Sequence, residues 1–375
     1  MTTLFGSRAF PALLSILAFT PACSEAAGAP ALEPAPRAAC AAVHAKLEAA
    51  LDAAVIARGI PGAAAAVDVG GCSFRGASGH ASPASGEPLG AGGLFRIGSI
   101  TKTFVATLVL MLRAEGRVSL DDRVSDHVAG VPGGEAMTVR QLLNHTSGLF
   151  NYTESPAFWE ASQESPPQAF TPAELIGYAA QRAPYFPPGK GFHYSNTNYI
   201  VAGLIVEKVG GEPLEKQLRQ RILTRVGLDH TYLDGAEPAL PGLVSGFSRS
   251  EAGYDDVTHA EAPSGAWAAG AMVSTTDDVN RFFAQLLGGD LLRPAELQEM
   301  TTWTKTPFPQ APEYGLGISE HPTPLGISYG HVGSIEGYHA WSARVAEGGA
   351  TITVLVNLSE GGAMNIADSL AGAIR

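Results

Sequence analysis

The stretches that read as β-strands stand at the two ends of this chain, and about 250 mostly helical residues separate them. Near the start, residues 63–69 and 72–77 flank Gly70-Gly71, the pattern of a hairpin closed by a glycine turn. Near the end, residues 328–332, 338–345 and 350–357 alternate or run apolar, the last two joined across Glu347-Gly348-Gly349. Strands so far apart in sequence bury their apolar faces by pairing with each other. The expected fold class is therefore α+β: one antiparallel sheet built from N- and C-terminal strands, flanked by helices, with a helical subdomain inserted between.

The helical signals are specific. Val43, Leu47, Leu51 and Val55 recur every fourth residue and stop at Gly59. Residues 99–115 are strongly apolar and stop at Gly116. Thr138-Val139-Arg140-Gln141 and Thr171-Pro172-Ala173-Glu174 have the form of capping boxes. Helices are expected again over residues 198–209 and 213–225, and a closing helix carries Ile366, Leu370 and Ile374 on one face.

Ahead of this body, Arg8 precedes an apolar run over residues 9–19 and the small residues Thr20-Pro21-Ala22-Cys23. That run is too short for a permanent membrane span and reads as a signal peptide over residues 1–23, followed by a linker over 24–38 and a single body over 39–375. The protein is expected to be exported, periplasmic or secreted. Cys23 stands where a lipoprotein signal puts its acylated cysteine, although Thr20 replaces the usual leucine; a lipid anchor at Cys23 and plain cleavage near Ala26 both stay open. Either outcome leaves two of the three cysteines, Cys40 and Cys72, in the folded body. In an oxidising compartment these are expected to pair, the alternative being two separate buried thiols.

The charge sum of 24 basic against 36 acidic residues gives −12, with no basic cluster, so nucleic acid is not an expected partner. The ten histidines are scattered and neither H-E-x-x-H nor paired C-x-x-C occurs, so neither a metal nor another cofactor is expected. No serine sits in G-x-S-x-G, and the glycine-to-lysine stretch Gly98–Lys102 lacks the order of a phosphate loop. What stands out is Ser99-Ile100-Thr101-Lys102, an S-x-x-K at a helix start. Residues i and i+3 share a helix face, so the lysine amine can reach the serine hydroxyl and activate a weak nucleophile. The helix N-terminus supplies N–H groups where an oxyanion would form.

Two further segments follow in order: Tyr194-Ser195-Asn196 after a Pro/Gly-rich turn, and His331-Val332-Gly333-Ser334 on a late strand. Together with Ser99-x-x-Lys102 they resemble the S-x-x-K, Y-x-N and K/H-x-G motifs of the penicillin-recognising serine hydrolases. The match is nearest to the D-alanyl-D-alanine carboxypeptidases and class C β-lactamases. The stretch Leu142-Leu143-Asn144-His145-Thr146-Ser147-Gly148-Leu149, with Leu120-Asp121-Asp122 and Tyr314-Gly315-Leu316-Gly317, is similar to family loops, so that the resemblance covers residues 40–375.

The resemblance implies roles. Ser99 would be the acylated nucleophile, Lys102 and Tyr194 the proton-transfer pair with the serine's base undecided, and Asn196 a donor to substrate that also fixes Lys102. His331 would bring a pH-dependent charge to the third motif. Ser99 and Ser334 N–H groups would form the oxyanion hole, Gly333 would admit substrate close to the strand, and Trp267 would line the pocket, core packing explaining it equally. Two departures stand out. Val332 replaces the usual threonine, and the carboxylate-gripping arginine of the carboxypeptidases falls at or near Ser319. The expected activity is hydrolysis through an acyl-Ser99, first as a D-alanyl-D-alanine carboxypeptidase. The alternatives are a β-lactamase, a hydrolase of small esters or D-amino-acid amides, or a non-turnover β-lactam or peptidoglycan sensor. The expected partner is a small-molecule or cell-wall peptide substrate, met by a monomer.

Overall fold

The computed structural model describes residues 37–375; the expected leader, Cys23 and the linker up to residue 36 lie outside them. Helix α1 (Arg37–Arg58) takes in the last linker residues and ends at Gly59, whose φ of 53° only glycine adopts at little cost. The hairpin β1 (Gly62–Val69) and β2 (Cys72–Ser82) follows, and a disulfide joins Cys40 of α1 to Cys72 at the head of β2.

Late in the chain come β3 (Ser319–Thr323), β4 (Gly326–Ile335), β5 (Tyr338–Val345) and β6 (Thr351–Val356). The sheet runs β2-β1-β6-β5-β4-β3, with the two-residue strands Glu87–Pro88 beyond β2 and Glu313–Tyr314 and Thr304–Lys305 beyond β3. All pairings are antiparallel, and β1 meets β6 in the register Ala65↔Val354, which joins the two ends of the chain as the strand pattern requires.

Two apolar layers cover the sheet. Ala63, Ala65 and Val67 of β1 face Leu47, Leu51 and Val55 of α1 and Ile366 and Leu370 of the closing helix. Ala64, on the opposite face, packs toward the helical insert. That insert is centred on α2 (Thr101–Ala114), whose residues 101–112 are all buried. Short helices α3 (Val139–Leu143), α4 (Pro156–Ser162) and α5 (Pro172–Ala180) follow, with both expected capping boxes formed at Thr138 and Thr171. Helix α6 (Asn196–Gly210) begins two residues before its expected start. The segment expected as one helix over 213–225 is helical from Leu214 to Val226, with a widened turn at Arg219–Leu223. Helices α7 (Thr276–Gly288) and α8 (Ala363–Ile374) complete the layers. No described helix is long and apolar enough to cross a membrane.

Strand β4 is longer than its pattern suggested, because Gly330 and Gly333 interrupt the apolar alternation without interrupting the ladder. A side chain at Gly330 would meet the Ser342 carbonyl oxygen at 2.0 Å, and one at Gly333 the Ile97 carbonyl oxygen at 2.0 Å. These glycines let neighbouring backbone close in. The second contact seats β4 against the turn that carries Ser99.

Candidate active site

Ser99 sits in a single 3-10 turn, Gly98–Ile100, that leads into α2. Gly98 has a φ of 50°, and a methyl group there would lie 2.8 Å from the Ser334 amide nitrogen. The turn is tied down by Thr101, whose hydroxyl donates to the Gly98 carbonyl (2.7 Å) and accepts from the Met272 N–H (3.1 Å). The nucleophile turn and the Ser334 end of β4 therefore meet backbone to backbone, and the amides of Ser99 and Ser334 belong to one small region. Gly333 serves this approach. The space its missing side chain leaves is filled by Ile97.

Lys102 is fully buried, with Nζ 2.9 Å from Ser99 Oγ, 2.7 Å from Asn196 Oδ1 and 2.6 Å from the Ala269 carbonyl oxygen. Among the described residues no carboxylate pairs with it. Burial without a counter-ion drives its pKa well below the ordinary lysine value. A neutral amine has two hydrogens and one lone pair. Asn196 Oδ1 and the Ala269 carbonyl can only accept, so they take the two hydrogens, and the lone pair is left facing the Ser99 hydroxyl. Asn196 is held in turn by its Nδ2–H to Thr153 Oγ1 at 3.2 Å.

Tyr194 lies with its ring centroid 4.9 Å from Lys102 Nζ. Burial pushes its phenol above the ordinary value, and a hydrogen bond with Ser99 pulls the other way with less effect. Removal from water penalises the ion in each group, so burial favours the neutral phenol and the neutral amine together. His145 supports this corner: its Nδ1 accepts from Ser195 N–H (3.2 Å) and Asn198 Nδ2–H (3.1 Å), and its ring lies 4.2 Å from that of Tyr194. Nothing in the motif pattern gave His145 that position.

His331 is buried. Its Nδ1–H donates to the Val332 carbonyl, which leaves Nε2 to accept from the Tyr314 hydroxyl at 2.9 Å. Burial, the largest cause, pushes its pKa down to about 3. The expected pH-dependent charge at the third motif is therefore corrected to a neutral ring. Trp267 takes the packing reading and not the pocket wall. It holds a φ of 33° and packs its ring edge over Gly203 of α6, where a methyl group would meet it at 2.8 Å, and it lines neither cavity beside Ser99. The Ala269 carbonyl two residues later is what its turn contributes.

Two cavities open on Ser99. The first, about 260 Å³, is lined by Asn196, Tyr152, Phe158, Trp159, Phe170, Glu261, Ser334 and Glu336. The second, about 290 Å³, is lined by Tyr194, Phe192, Phe308, Tyr314, Ser319, His321, His331 and Val332. Ser319 is buried and bonded to His321 Nε2 at 2.9 Å, and burial holds His321 at about 4. The second cavity thus contains no cation. Among the described residues no group of three His, Cys, Asp or Glu side chains is placed to hold a metal ion.

The family model described as Beta-lactamase matches residues 45–374. Among solved structures, the chain is similar to a D-stereospecific amidohydrolase from Streptomyces sp. (TM-score 0.76, 36% identity, 86% of this chain and 97% of that one). It is also similar to the D-amino acid amidase of Ochrobactrum anthropi SV3 (TM-score 0.81, 29% identity, 88% of this chain and 98% of that one). A penicillin-binding protein relative, PbpX of Bacillus subtilis (strain 168), is 26% identical over 266 residues, 70% of this chain. The chain spans 61% of that relative's length, less than two thirds. Motifs, fold and match over nearly the whole described body agree: the chain belongs to the β-lactamase family of serine hydrolases.

Proposed function

We propose that this protein is an exported hydrolase of amides, or of esters, with uncharged leaving groups, acting through an acyl-Ser99 intermediate; D-amino-acid amides are the first substrate class. The observation that carries the leaving-group half is the second cavity: aromatic, with two histidines held neutral by burial and Ser319 where an arginine would grip a carboxylate. Placing a free carboxylate there would desolvate it without a partner, at a cost of several kcal/mol. This weighs against the D-alanyl-D-alanine carboxypeptidase expected from the motifs. The amidase names of the two similar structures support an amide as the scissile bond.

Neutral Lys102 takes the Ser99 proton as Oγ attacks the carbonyl carbon, and the oxyanion receives the N–H groups of Ser99 and Ser334. The proton then passes through the Tyr194 hydroxyl to the departing nitrogen as the C–N bond breaks. Water repeats the sequence on the acyl-enzyme. Tyr194 lines the second cavity and not the first, so the leaving group departs on that side and the acyl group occupies the first. Export rests on the leader read over residues 1–23 and accords with the Cys40–Cys72 disulfide. The test is a substrate panel read by turnover and by intact mass of the Ser99 adduct: D-amino-acid amides, short esters, a D-Ala-D-Ala peptide and a penicillin. Amide or ester turnover with weak peptide turnover is expected; a dominant free-carboxylate substrate would replace this reading with the carboxypeptidase.

A further inference from the structure

The first cavity holds two carboxylates, Glu261 and Glu336, beside four aromatic rings. Neither hydrogen bond nor ion pair reaches Glu261 among the described residues, and Glu336 receives one long hydrogen bond, 3.4 Å, from Ser359. The cation at this cavity, Arg96, is already committed: its guanidinium bonds Asp234 at 3.1 Å and the Thr258 carbonyl. One positive charge against Asp234, Glu261 and Glu336 leaves the wall acidic.

A second observation points the same way. Four large apolar side chains are strongly exposed among the described residues, and Trp159, at 57%, is one of them. It stands on α4 at the rim of this cavity, beyond the buried rings of Tyr152, Phe158 and Phe170. An exposed indole beside half-buried carboxylates suits a group that is cationic and apolar at once, since rings attract a cation through their faces and shed water around a carbon skeleton. The volume, about 260 Å³, lies just under the ~300 Å³ at which drug-sized sites begin, which fits one aminoacyl unit rather than a long peptide.

We propose that Glu261, seconded by Glu336, is the specificity anchor of the acyl site and selects acyl donors that carry a free ammonium group. This rests on the amide-hydrolase reading above and adds the charge of its substrate. Glu261 carries a raised pKa, through burial first and the neighbouring Glu336 next. A bound ammonium relieves both, which is what makes the pair receptive.

The experiment compares D-phenylalaninamide with 3-phenylpropionamide, which lacks only the amino group, at pH 7, where an α-amine is mostly protonated. The kcat/KM ratio of the two in wild type should be about tenfold or more in favour of the ammonium substrate, and E261Q should reduce that ratio about tenfold. E336Q should reduce it less. A wild-type ratio near one, a ratio unmoved by E261Q, or a larger effect from E336Q each overturns the assignment. Hydrolysis of p-nitrophenyl acetate keeps the two failures apart. If it survives Ser99→Ala, the hydrolase reading has failed; if it needs Ser99 while the amide ratio stays near one, only the ammonium anchor has failed.

Discussion

The two cavities that meet at Ser99 are close in volume and both aromatic, yet one wall is acidic and the other uncharged. Their origin explains the difference. The uncharged cavity is built on the edge of the sheet, where β3 and β4 bury His321 and His331 against neighbouring backbone, and burial discharges them. The acidic cavity is built on loops of the helical insert and on the turn after β4, where Glu261 and Glu336 stay half-buried and water still shares their charge. Depth, more than residue type, decides which titratable groups keep their charge here. Lys102, fully buried as well, is pushed the same way, well below the ordinary lysine value.

Ser99 is common to both sides, so its removal should have the largest effect. Ser99→Ala is expected to abolish covalent labelling by a fluorescent penicillin or activated ester and to lower turnover by at least about a thousandfold on every substrate. Wild-type hydrolysis of any one substrate by this variant would end the assignment.

Next come the two proton carriers, which separate the sides. Lys102→Ala should slow acylation by about 10²–10⁴-fold whatever the leaving group, because every substrate needs the serine deprotonated. Tyr194→Phe should slow amides comparably but p-nitrophenyl esters much less, since that leaving group departs without a proton. Equal losses on amide and ester in Tyr194→Phe would place the tyrosine on the serine side instead and remove the argument for which cavity takes the acyl group.

How much of this could be read in the sequence follows from distance along the chain. The S-x-x-K geometry is local to one helical turn, and the pairing of terminal strands follows from apolar alternation, so both were legible. The second and third motifs were legible as short strings in order, although their surroundings were not. His331 read as a charge because nothing local reports that Tyr314 and the Val332 carbonyl occupy both its nitrogens. Trp267 read equally as pocket wall or core packing because the notch it fills is Gly203, 64 positions earlier on another helix. The acidic cavity was invisible: Trp159, Glu261 and Glu336 come from three separate segments without a motif among them.

A smaller effect is expected from giving the uncharged cavity the groups it lacks. Ser319→Arg with Val332→Thr should shift kcat/KM toward a D-Ala-D-Ala peptide, relative to an amide, by about tenfold, or ~1.4 kcal/mol of transition-state discrimination. Ser319 bonds His321 and the Gly330 carbonyl, so the variant's thermal stability has to be measured alongside. A folded double variant without any shift would mean that carboxylate rejection has another source.

The smallest expected change is in pH response, and it is the most direct check that the sheet-side cavity is uncharged. If His331 gripped a carboxylate as a cation, preference for the peptide over the amide would grow as pH fell through the ordinary histidine range. With its pKa at about 3 it stays neutral, so with 3-phenylpropionamide, which carries no titrating amine, as the reference amide, the ratio should change by less than about twofold between pH 8 and pH 5. Acid should act on stability instead. Unfolded, the histidine titrates near ~6.5. Below that pH the unfolded chain binds a proton that the folded one does not, and stability falls progressively from about 6.5 toward 3. His145, also driven well down by burial, adds to the same slope. His331→Gln cannot take up that proton, so its Tm should drop less between pH 7 and pH 5 than that of wild type. A peptide preference that rises in acid, with wild-type and His331→Gln melting curves falling in parallel, would show that His331 titrates in the native protein and that the two cavities differ less than their walls suggest.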